Sequence, residues 1–194
     1  MTSDRPTQET IDQLVIAAHV NRPAIEAGLA EHPALINARS TLDESPLGAA
    51  AHVGNRLMAE YLLAQGAGME LGAAAMLGRM EEVEAAVQAD PLLANATGAH
   101  GIPILFHACS GGQHELARFL VAQGAVATPE SLGRCLLGAV HAGHIEMARW
   151  LIGLGADVAT QDFQGKTALE RAEETGNVEL AGVVRGGGQR EGLR

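Results

Sequence analysis

The run from Ser45 to Ala67, SPLGAAAHVGNRLMAEYLLAQGA, recurs in edited form along the chain, and a chain that repeats itself builds a repetitive structure. The pattern is a Leu, a small pair three and four residues on, a Gly at seven, a paired apolar group near fifteen and a closing Gly-Ala. Leu47, Ala50, Ala51, Gly54, Leu62, Leu63, Gly66 and Ala67 fill it. The same offsets recover Leu105, Ala108, Cys109, Gly112, Leu120, Val121, Gly124 and Ala125, and then Leu136, Ala139, Val140, Gly143, Leu151, Ile152, Gly155 and Ala156. Weaker copies start at Leu14, Leu71 and Leu169. Successive turn glycines lie 24, 34, 31 and 33 residues apart, from Gly54 through Gly78, Gly112 and Gly143 to Gly176. The period is about 33, with one deletion between the second and third copies.

The pattern resembles the ankyrin repeat, a β-turn or hairpin finger followed by two antiparallel helices with a TPLHxAA signature. SPLGAAA (45–51), IPILFHAC (102–109) and KTALERA (166–172) stand at the signature positions, and none is intact. The His of the signature is replaced by Gly48, Gly72, Phe106, Leu137 and Glu170. The resemblance covers residues 11–185 and implies an all-α fold: an ankyrin-type helix-turn-helix solenoid of about six repeats with some β-turn fingers shortened. A solenoid has no internal boundary, so 11–185 reads as one domain. Residues 1–10 and the Gly-rich 186–194 lack periodic apolar positions and read as a mobile and a flexible tail.

Fingers are expected only in part. The phrases EHPALINARS (31–40) and ADPLLANATG (89–98) match almost position for position and lead into fingers at about 39–46 and 96–103; TQDFQGKTAL restores a third at 160–167. Between copies two and three the finger is missing, since Ala67 is followed four residues later by Leu71. Between copies four and five, Thr128-Pro129-Glu130 reads as an N-cap, a first-turn Pro and a favourable acid, so that inner helix starts early. Alternate teeth of the comb are removed, and the expected result is a groove with two notches. Gly54, Gly78, Gly143 and Gly176 should each resist substitution by about 1–2 kcal/mol if they hold left-handed turns.

Charge narrows the partner. The net charge is −10 with a single Lys, and no basic run exists to displace counterions from a phosphate backbone, so nucleic acid is not expected. Residues 1–100 carry −8 of that charge, which either keeps the surface solvated or steers a basic partner. No stretch of about 18 apolar residues suits a membrane span, and no secretory leader is read at the start. Cys109 and Cys135 read as reduced, buried thiols, and the cytoplasm is the expected compartment.

The resemblance implies a groove lined by finger tips and by the two inner-helix residues before each turn Gly. Those pairs are His19 and Val20, His52 and Val53, Met76 and Leu77, Ser110 and Gly111, His141 and Ala142, and Glu174 and Thr175. A histidine row invites a metal site, but donors must lie about 2.1 Å from one ion while stacked repeats are about 8–10 Å apart. His19 and His52 just converge and His141 does not, so recognition is expected rather than a metal or cofactor. His107 and Cys109, two apart on one helix, face different sides and do not pair as base and nucleophile. Ser110-Gly111-Gly112 lies in an inter-helix turn with no Lys following, so it is not a phosphate cradle. Tyr61, Phe119 and Trp150 share one outer-helix position and are expected to pack between repeats.

The expected function is a monomeric, non-catalytic scaffold that binds another protein through Leu42, Glu44, His52, Val53, Leu77, His100, Ile102, His141 and Phe163. A small-molecule binder or enzyme using His100, His107 and Cys109, and a permanent structural subunit, are the alternatives.

Overall fold

In a computed structural model, which describes residues 6–191, twelve α-helices form six antiparallel pairs in chain order. The inner helices are α1 (Gln8–Ala18), α3 (Pro46–His52), α5 (Leu71–Leu77), α7 (Ile104–Ser110), α9 (Pro129–His141) and α11 (Ala168–Glu174). Their partners are α2 (Arg22–Glu31), α4 (Arg56–Ala64), α6 (Met80–Ala89), α8 (His114–Ala122), α10 (Ile145–Gly153) and α12 (Val178–Glu191). Each inner helix after the first ends in a glycine-containing turn. Gly54, Gly78, Gly112, Gly143 and Gly176 sit there at φ of 71, 76, 69, 78 and 70°, the left-handed conformation that disfavours a Cβ.

Small residues stack the inner helices closely. Ala49, Ala50, Ala51, Ala73, Ala74, Ala75, Ala108 and Ala139 are all buried, and Leu62, Leu120 and Leu151 from the outer helices close over them. The apolar interior is divided at α5. Ala73, Met76 and Leu77 join the core of the first two repeats, while Ala74 and Ala75 join that of the last four. Tyr61, Phe119 and Trp150 are half-buried against these cores, as packing side chains should be.

Three fingers are present where the spacing places them, and they are turns with at most one bridge rather than strands. In each, one amide donates to the carbonyl four residues on: Ser40 to Glu44, Gly98 to Ile102 and Asp162 to Lys166, all at 2.9 Å. The fourth residue of the turn is left-handed in all three, and it is Asp43, Gly101 and Gly165 respectively; in the middle finger His100 before it is left-handed as well. No finger precedes α5, whose first residue follows Glu70. The inner helix α9 begins early, with Thr128 capping Ser131 through its side chain.

The two matching phrases do the same mechanical work. Residues Pro33–Asn37 and Pro91–Asn95 form 3-10 turns. Asn95 Nδ2 donates to the Gly124 carbonyl while its Oδ1 accepts from the Val126 amide, both at 2.8 Å. Asn37 makes the equivalent pair with Gly66 and Gly68. Each clasps one repeat's exit to the end of the next. Asn95→Ala should lower stability by about 1 kcal/mol, read as a lower urea midpoint at unchanged m; an unchanged midpoint would show the clasp to be idle.

Both tails differ from expectation. Helix α1 begins at Gln8, capped by Thr7, whose side chain accepts from the Thr10 amide at 3.2 Å; residues 1–5 of the expected mobile tail lie outside the described residues. At the other end α12 continues through Gly186, Gly187 and Gly188 to Glu191. Gly187 is buried, and a Cβ there would lie 2.7 Å from Ile152 Cγ2. The glycines let α12 lie against α10 instead of breaking it; residues 192–194 lie outside the described residues.

Candidate functional site

The missing finger leaves a space. Between the finger at 39–46 and the one at 96–103 lies a cavity of about 510 Å³ lined by Leu42, His52, Glu70, Gly72, His100 and His107 among others. That is within the range of about 300–1,000 Å³ usual for ligand pockets. The chain passes from Ala67 to Leu71 without rising into it, and Glu70 stands at its edge, accepting from Ser45 Oγ with Arg39 Nη2 3.6 Å away.

At one end of this notch four polar side chains converge from four segments. Glu44, on the first finger, is only 3% exposed. Its Oε1 lies 2.7 Å from His52 Nδ1 at the end of α3, and its Oε2 lies 3.9 Å from His19 Nε2 and 3.4 Å from His100 Nε2. The imidazole rings pack edge to face, with centroids 4.7 Å apart for His19 and His52 and 5.7 Å for His52 and His100. Burial raises the Glu44 carboxyl's pKa, but the hydrogen bonds and charges of His52 and His100 outweigh it and hold it below its usual value.

His107 forms part of the cavity floor from α7. It is 3% exposed and neither ring nitrogen has a hydrogen-bond partner. Burial depresses its pKa to about 4. The Ala51 carbonyl is close enough to oppose that shift but does not meet hydrogen-bond geometry. Nε2 lies where Gly72 and Gly98 carry no side chain, 3.0 and 3.4 Å from the places their Cβ atoms would take.

The nine residues expected to bind a partner therefore divide. Glu44, His52 and His100 come together, joined by His19 from the histidine row. Leu42 and Phe163 are exposed finger-tip residues, 68% and 94% accessible. His141 is exposed at the end of α9, outside the cluster. Val53 and Ile102 are half-buried. Two expectations are corrected: Leu77 is buried in the core of the first two repeats, and Glu44 is buried among imidazoles, so neither side chain presents to a docking partner. Cys109, a nucleophile in the alternative reading, lies inside the core. The thiol is fully buried, and the neighbouring Cys135 thiol together with burial pushes its pKa well up, away from the reactive thiolate.

Arg39 and Glu70 at the notch edge were not foreseen. The signal was available: Glu70 is the last residue before the helix where the finger is missing, so it occupies the gap the deletion makes.

Stacked helix pairs joined by turn glycines, with fingers on one side, define a helical repeat solenoid. The family model for ankyrin repeats (3 copies) matches residues 71–162, from α5 into the last finger. Over those residues the chain is built of ankyrin repeats. None of the curated proteins compared with it matches. Among the described residues, no helix is long and apolar enough to cross a membrane.

Proposed function

We propose that this chain is a non-catalytic recognition module that grips a partner protein through its finger tips and the concave face beside them. Ankyrin repeats are in general protein–protein interaction modules, and one observation supports this use of the surface here. Two large apolar side chains, Leu42 and Phe163, stand in solvent on fingers held rigid from below. Asp162 Oδ1 accepts from the amides of Gln164 and Lys166 at 2.8 and 3.0 Å, and its Oδ2 accepts from Arg171 Nε at 2.6 Å. Burial raises the Asp162 pKa, but the backbone amides and the Arg171 guanidinium together hold it below the ordinary carboxylate range. An apolar anchor on a braced finger loses little freedom on binding, which favours contact energy over ordering cost. The reading takes the single chain as the working unit, the cytoplasm as its compartment and neither nucleic acid nor membrane as partner.

Photo-crosslinking residues placed at Leu42 and Phe163 should capture one and the same polypeptide, while one at exposed Leu57 on outer helix α4 should not. A Leu42→Asp, Phe163→Ala variant should retain that polypeptide at least about tenfold less well. Equal labelling from Leu57, or undiminished retention, would remove the finger tips from the account.

A further inference from the structure

We propose that His19, Glu44, His52 and His100 form a binding site for a divalent transition-metal ion of the zinc class. It is a function beyond partner recognition and does not depend on it. Donor atoms of His19, Glu44 and His52 already lie within 4.8 Å of one another, and His100 Nε2 is 3.4 Å from Glu44 Oε2. Donors around a tetrahedral ion at about 2.1 Å are spaced about 3.4 Å apart, so small side-chain rotations bring His19, Glu44 and His52 into place, and His100, close to Glu44 alone, turns further to complete the set.

Tautomer and chemistry agree with a metal. His19 Nδ1 lies 3.0 Å from the Ile16 carbonyl, which only accepts, so Nδ1 carries the hydrogen and Nε2 offers its lone pair toward Glu44. A ring nitrogen fixed by a backbone carbonyl is the usual outer support of a ligating imidazole. His52 Nδ1 and Glu44 Oε1 now share a hydrogen; the ion takes its place, with the imidazole proton moving to Nε2. Three imidazoles and one carboxylate suit a borderline ion such as Zn²⁺, and too few oxygens are present for Ca²⁺ or Mg²⁺. Buried Glu44 opposes an anion at the same point and is itself neutralised by a cation.

Two features mark the notch as built for a ligand. His107 is an orphaned, buried imidazole on the floor of the same cavity. His100 holds φ 57° where the equivalent Leu42 and Gln164 of the other two fingers are not left-handed, accepting strain that glycine would remove. With the ion bound, the finger at 96–103 is clipped to the first two repeats across the missing tooth, joining segments on both sides of the divided core.

The test uses the untagged full chain, stripped with a chelator and titrated with Co²⁺ as a spectroscopic stand-in. One equivalent of Co²⁺ should give visible absorption of tetrahedral character, displaced by Zn²⁺. Excess Zn²⁺ should raise Tm by roughly 5–10 °C, and Mg²⁺ or Ca²⁺ should not. Glu44→Gln and His100→Gly should each weaken Co²⁺ binding tenfold or more. His100→Gly relieves strain, so its metal-free form should be at least as stable as the parent and misfolding does not confuse the result. Undiminished binding in both variants, loss of binding in His141→Ala or His32→Ala instead, or no rise in Tm with Zn²⁺ would each overturn the proposal.

Discussion

Gly111→Ala should destabilise the protein by about 3–5 kcal/mol, far more than an alanine in an exposed turn. Gly111 adopts φ −83° and ψ −4°, a conformation open to any residue, so backbone preference does not explain a glycine here. Proximity does. An added Cβ would lie 2.0 Å from the Met76 carbonyl oxygen and 2.8 Å from its carbon. Both belong to α5, a seven-residue helix buried along its length from Ala73 to Leu77. Gln113 Nε2 then donates to the Met76 and Gly111 carbonyls at 3.0 and 2.8 Å, tying the turn to α5 at the seam between the two cores. Relief requires α5 to move, and both cores meet on it. Gly143 is the contrast: φ is 78° and a Cβ would meet nothing within 4 Å, so Gly143→Ala costs only the left-handed strain of about 1–2 kcal/mol. Urea midpoints of the two variants decide the matter. If Gly143→Ala is the more damaging, close approach at Met76 is not what the turn protects.

The second large effect is on acid stability. His107 titrates near pH 4 when folded, against an ordinary imidazole value of 6.5. Burial is the main cause, His52 adds to the lowering, and Ala51 and Glu44 oppose it. Because the folded pKa is depressed, the unfolded chain binds the extra proton first. Above pH 6.5 the imidazole is neutral in both states and its titration costs the fold nothing; as pH falls toward 4 the fold loses about 3 kcal/mol in all. His107→Leu removes the titrating group along with two unpaired buried nitrogens, so it should be neutral to stabilising at pH 7. Its stability should also fall less than the parent's between pH 6.5 and 4 in chelator-containing buffer. Parallel pH profiles for the two proteins would show that the burial of this imidazole is not what limits acid tolerance.

How far the chain could be read in advance depended on whether a feature was local. Helix pairs, their turn glycines and the fingers at 39–46, 96–103 and 160–167 are set within single repeats, by apolar spacing and by positions that need a positive φ. Gly54, Gly78, Gly143 and Gly176 are left-handed as expected. The missing finger was legible too, because it is a count of residues. The Gly-rich end misled, since glycine's freedom was weighed and its thinness was not: α12 uses Gly187 to approach Ile152.

The candidate site was legible only as a parts list. Glu44, His52 and His100 were singled out as separate contact residues, and the histidine row by itself reached no further than His19 and His52. Glu44 stands on one finger and His100 on the finger two repeats later, and their separation depends on how α3, α5 and α7 stack where no tooth intervenes. The sequence by itself determined the repeat, its number, its turns and its gap, because each follows from spacing along one stretch of chain. Only the tertiary structure decided that Leu77 and Glu44 turn inward, that His107 is left without a partner and that three imidazoles meet around one carboxylate, because those facts are distances between repeats and no single repeat encodes them.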